Sequence, residues 1–152
     1  MGNTAKAILA GTAVSGTLDI LSAFIFGGMA GASPVRILTY VASGPFGTLQ
    51  QGPAAAALGL ATHYLLMAFM VTMFVIAARR VPMLTARPVL WGALYGIGIY
   101  LVMYWLVVPA RFGRFPALTA WGVGNSLFSH ILCVGIPMAL VTRQFVARAL
   151  RK

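Results

Sequence analysis

Acidic side chains are almost missing. Across 152 residues the chain carries a single carboxylate, Asp19, against eleven Lys and Arg. One acid excludes hydrolysis by paired carboxylates, and no catalytic residue is assigned. Cysteine is as scarce: Cys133 stands alone, so neither an intramolecular disulfide nor a paired-Cys metal motif is available. Walker loops and dinucleotide fingerprints are also missing. Charged residues of both signs make up 8% of the chain, far below the roughly 25% of soluble domains.

What fills the chain is apolar. Hydrophobic residues reach 61% and the mean hydropathy is +0.93, which places the chain among membrane proteins. A spanning helix needs roughly 20 mostly apolar residues, so this length accommodates four spans and no soluble domain. We expect an all-α, polytopic four-transmembrane-helix bundle forming one domain, with spans at about 7–30, 53–78, 89–108 and 117–141. Between spans one and two, Ser33 caps a short interfacial or re-entrant helix starting at Pro34, and Gly44-Pro45 ends it. Pro109 is expected to end the third span, and Pro137 to kink the fourth.

Lys6 precedes an apolar stretch that is too long for a signal peptide and contains Asp19, so it reads as an uncleaved first span. Lys6 also stands where a myristoylation signal wants Ser or Thr. The basic residues cluster at the ends of apolar runs. Lys6, Arg79, Arg80, Arg87, Arg143, Arg148, Arg151 and Lys152 fall on one side, against Arg36, Arg111 and Arg114 on the other. The positive-inside rule then sets both termini in the cytoplasm, and the basic tail beside anionic lipid. The lipid bilayer therefore explains the charge, and nucleic acid is not an expected partner.

Each span carries two small residues and a polar one at intervals of four: Gly11, Ser15, Asp19; Ala55, Gly59, His63; Gly92, Gly96, Tyr100; Gly122, Ser126, His130. Residues four apart share a helical face, and small ones let membrane helices approach closely. Depth adds a second argument, at 1.5 Å of rise per residue. Asp19 lies about 20 Å from the cytoplasmic end and Tyr100 about 18 Å; His63 and His130 lie about 15 to 20 Å from the opposite side. All four thus fall near the middle of a hydrocarbon core of about 30 Å. In a simple up-down bundle, His63 and His130 would face each other from diagonal helices.

An ionised carboxylate at that depth must be paired, protonated or beside water. Asp19, His63, His130 and Tyr100 form the candidate site. The bland reading is a hydrogen-bonded layer that fastens the helices. The functional reading is a protonatable or small-ligand site on a transport path. A cofactor reading gives His63 and His130 to a haem b iron, or the same two with Asp19 to a non-haem divalent metal. An accessory subunit of a larger membrane complex, or a homo-oligomer, would use the glycine-lined faces instead.

The stretch from Thr62 to Arg151 resembles the YagU-like group of small bacterial inner-membrane proteins. It carries "TH" in the second span, a "RRVP" exit, a short linker into "GALYGIGIYLVMYWLVVP", an outer loop with Pro116, a histidine in the last span and a basic tail. His63 and His130 match the group's histidines; Asp19 lies outside the matched stretch. The resemblance implies a helical membrane fold and an inner-membrane address, and no mechanism.

Overall fold

The structure is a computed structural model. It describes residues 2–49, 51–116 and 118–149, and the side chains of the last helix as far as Val146. Among the described residues, four helices are long and apolar enough to cross a membrane: α1 (Asn3–Met29), α3 (Pro53–Arg80), α5 (Pro88–Phe112) and α6 (Ala120–Val146). Between them lie α2 (Pro34–Phe46) and the single turn α4 (Met83–Ala86). No strand occurs among the described residues. The expected start of the fourth span, Ala117, lies outside the described residues, as do Arg151, Lys152 and the side chain of Arg148.

Local chemistry sets the ends of these helices. Gly31 and Gly47 adopt positive φ, at 80° and 79°, and end α1 and α2, a conformation glycine takes without steric cost. At the start of α2 the Ser33 side chain accepts a hydrogen bond from Arg36 N–H, with Pro34 in the first turn. Thirteen residues rise about 20 Å, too little to cross the core. Pro45 sits inside the last turn of α2, so the helix runs to Phe46 instead of stopping at Gly44-Pro45.

One further departure from the sequence reading, at Pro109, has a local cause that a second proline shares. The third span continues through Pro109 to Phe112, and the fourth passes Pro137 without a break in the helix. In both, a stretch of wider π-helix precedes the proline: Met103–Val107 before Pro109, and Ser129–Gly135 before Pro137. A proline ring clashes with the carbonyl four residues earlier and removes an amide donor. Widening the preceding register accommodates the ring while the helix continues.

The molecule is apolar outside and close-packed inside. Leu9, Ile25, Leu65, Phe69 and Leu106 are each more than half exposed along the spans, as lipid-facing side chains should be. Inside, α1 packs on α3 and α6, α5 packs on α6, and α3 also touches α6. This is not the simple up-down arrangement, since α3 and α6 are in contact instead of diagonal. The buried core gathers Met67, Val71, Phe74 and Val75 of α3 with Ile99, Val134 and Met138.

Gly59, Gly92 and Gly96 make close approaches of the kind their spacing implies, one of them with a different partner. A Cβ on Gly92 would lie 2.6 Å from the Gly135 carbonyl oxygen, and one on Gly96 would overlap the His130 carbonyl, so α5 and α6 touch backbone to backbone. Gly59 meets the backbone of Leu38 in α2 instead of another span. Polar side chains join α1 to α6: Ser15 Oγ donates to Val134 O at 3.2 Å, and the Ser22 and Ser129 hydroxyls lie 2.8 Å apart.

Candidate functional site

Three ionisable side chains meet at one depth. Asp19 lies ten residues before the end of α1, His63 ten after the start of α3, and His130 ten after the start of α6. Each is about 15 Å from the helix end on the side opposite the chain termini. Asp19 Oδ2 and His63 Nδ1 are 3.9 Å apart, which is ion-pair range and too long for a hydrogen bond. The His63 side chain is 9% exposed and Asp19 20%, so the carboxylate is the more open of the two.

Backbone carbonyls fix both imidazoles. His63 Nε2 lies 2.8 Å from Gly16 O, and His130 Nδ1 lies 2.7 Å from Ser126 O. A carbonyl only accepts, so each of these nitrogens carries the proton. In the neutral rings that leaves a bare lone pair on His63 Nδ1, facing Asp19, and another on His130 Nε2. The carbonyl could come from any residue, but glycine fits at position 16 because a Cβ there would crowd the Tyr64 ring.

Around His130 stands an aromatic cluster. Tyr100 packs on Tyr104 with centroids 4.7 Å apart, and both rings stand nearly edge-on to the imidazole, at 6.0 and 6.3 Å. The Tyr104 hydroxyl bonds Ser126 Oγ at 2.5 Å. Tyr100 is buried behind Tyr104.

A cavity of about 620 Å³ opens onto this layer, and Asp19, His63, His130 and Tyr104 all line it. It occupies the space between α3 and the far half of α5. Those helices touch lower down, where Tyr95 donates to Met70 O at 2.9 Å and packs on Phe74. Met67, Met70, Met103 and Ile99 form apolar walls, and Tyr40, Arg114 and Phe115 line it toward the mouth. The mouth is held in shape by Arg111, which donates to the Ser43 carbonyl at 3.1 Å and to Gly44 O. Tyr40 stacks on Phe112 with centroids 5.3 Å apart.

Asp19, His63 and His130 are thus brought together, whereas Tyr100 is set behind the lining. Tyr104 takes the place foreseen for it; it lies four residues on, hence on the same helical face. Tyr40 and Arg114 join the site through the way α2 and the loop after α5 fold back, which helical periodicity does not reach.

A haem between the histidines would need one free nitrogen from each ring. His130 has Nε2, but His63 has Nε2 bonded to Gly16 and Nδ1 turned to Asp19. Among the described residues, no group of three His, Cys, Asp or Glu side chains is arranged to hold a metal ion. Compared with known proteins, no family model, curated protein or solved structure matches this chain.

Proposed function

We propose that this is a small polytopic membrane protein that binds a small ligand in its intramembrane cavity and handles a proton there through Asp19, His63 and His130. The observation that carries this reading is the convergence of the three on one cavity of about 620 Å³. Intramembrane ionisable residues commonly mark ligand or proton paths, and the volume lies within the usual range of small-ligand pockets. A layer that only fastened helices would need no such space beside it.

The address belongs to the same proposal: a four-helix domain of the bacterial inner membrane, with both termini cytoplasmic. The distribution of Lys and Arg supports that orientation, and the resemblance to the YagU-like group supports that membrane. The cavity would then open toward the outer side.

The reading is tested by reconstituting the wild-type and Asp19→Asn proteins in liposomes and following proton uptake after a pH jump. The wild type is expected to take up protons that Asp19→Asn does not. Identical uptake by both proteins would return the layer to helix fastening.

A further inference from the structure

Resting on that reading, the geometry points to the class of ligand. We infer that the cavity takes a singly charged organic ammonium ion with an apolar body, and that its arrival at Asp19 expels the proton held by the Asp19 and His63 pair.

The starting point is the hydrogen bond from His63 Nε2 to Gly16 O. It commits one imidazole proton to the backbone, so His63 Nδ1 meets Asp19 Oδ2 as a lone pair or as an N–H. A lone pair against a carboxylate is repulsive. The pair therefore holds one further proton, on Nδ1 as an ion pair or on Asp19 as a neutral acid. At 3.9 Å that proton is not locked in a short hydrogen bond, and Asp19 keeps an open side toward the cavity.

An ammonium ion supplies what that proton supplies: one positive charge and N–H donors for the carboxylate. The balance is one for one. The ion pair Asp19 carboxylate with His63 imidazolium, plus a bound ammonium, becomes Asp19 carboxylate with ammonium, neutral His63 and one proton released to water. A neutral ligand leaves the proton in place, and an anion would meet the carboxylate directly.

The groups facing Asp19 agree with a cation. From α3 comes His63 and from α6 come His130 and Cys133, while Tyr104 of α5 lines the same cavity. In its neutral tautomer His130 offers Nε2 as an acceptor. Tyr104 offers a ring that attracts cations. Among the described residues, Arg114 is the one fixed positive charge on the lining; it is exposed at the mouth, where water and salt screen it. The walls contain three methionines, Met67, Met70 and Met103, whose flexible side chains adapt to varied apolar shapes.

The test uses the full chain in nanodiscs of zwitterionic lipid, with empty nanodiscs as the blank. Phenethylammonium, its neutral analogue 2-phenylethanol and the anion 3-phenylpropionate are titrated by calorimetry, with a pH indicator reading released protons. Phenethylammonium should saturate and release one proton per bound ion, its affinity rising about tenfold per pH unit where the pair is protonated. Asp19→Asn should lower that affinity at least about tenfold and end the release; His63→Gln, which keeps the carboxylate, should still bind the ion. Circular dichroism checks that both variants are folded. Equal or tighter Asp19-dependent binding of the alcohol or the acid overturns the ammonium assignment and leaves the ligand cavity standing. No saturable binding of phenethylammonium, while Asp19→Asn still changes proton uptake in liposomes, overturns this inference alone. Absence of both signals overturns the inference and the proposed function together.

Discussion

Gly96 of α5 lies directly against the backbone carbonyl of His130 in α6. The contact leaves no room for a side chain, and it sets how closely the aromatic face of α5 approaches the imidazole. Gly96→Leu must therefore push the two helices apart. Overpacking of a tight contact costs about 1–3 kcal/mol, and here the obstacle is backbone, which cannot swing aside as a side chain does. Thermal unfolding in detergent should show that loss. Gly98→Leu, where a Cβ meets nothing within 4 Å, should leave the midpoint close to wild type.

The hydroxyl pair of Ser22 and Ser129 should contribute far less. The two oxygens lie 2.8 Å apart and join α1 to α6, yet Ser22 Oγ can also serve the Asp19 carbonyl at 2.8 Å. Interhelical hydrogen bonds in membranes average about 0.6 kcal/mol. A double-mutant cycle with Ser22→Ala and Ser129→Ala should return a coupling near that value. A coupling above about 2 kcal/mol would show that the polar layer outweighs the glycine contacts.

Arg111 holds the end of α2 over the cavity by donating to the carbonyls of Ser43 and Gly44. Charged donors to backbone carbonyls are worth about 1.5–3 kcal/mol. Arg111→Ala should speed amide hydrogen exchange in the last turn of α2, while the body of α3 keeps its protection. Arg114→Ala is the control, since Arg114 lines the cavity without bonding α2 in this way. Equal exchange in the two variants would count against the tether.

Much of this architecture could be read from the chain, and the parts that could not have physical reasons. Four long apolar runs, and the depth of Asp19, His63 and His130, follow from a constant rise per residue, which tertiary packing changes little. The small-residue spacing marked Gly96 as a packing position for the same reason. Pro109 misled because a proline's local clash was relieved by π-helical widening one turn earlier. Tyr100 gave way to Tyr104 because four residues preserve a face but change the depth at which it meets the cavity. Tyr40 and Arg114 were illegible as site residues. Their positions depend on how α2 and the loop after α5 fold back, which no periodic pattern encodes.

That fold-back also gives the mouth a pH dependence of its own. Burial, with a smaller contribution from Tyr104 and a partial offset from Arg114, raises the Tyr40 pKa above the usual 10.0. The neutral phenol is thus favoured in the folded state over the unfolded one. The stability it contributes is fully present below pH 10.0 and is lost as pH rises through the folded-state value. Ionised Tyr40 would place a charge in the stacked contact with Phe112, so α2 should loosen in alkaline solution. Absorbance near 295 nm should show one tyrosine, missing in Tyr40→Phe, that ionises above the ordinary range. Hydrogen exchange in α2, corrected for its intrinsic pH dependence, should rise over the same interval in the wild type and stay flat in Tyr40→Phe. Arg114→Ala removes the one group that favours the phenolate and should move the transition to higher pH still; a shift to lower pH would mean that Arg114 does not face Tyr40 as the structure places it.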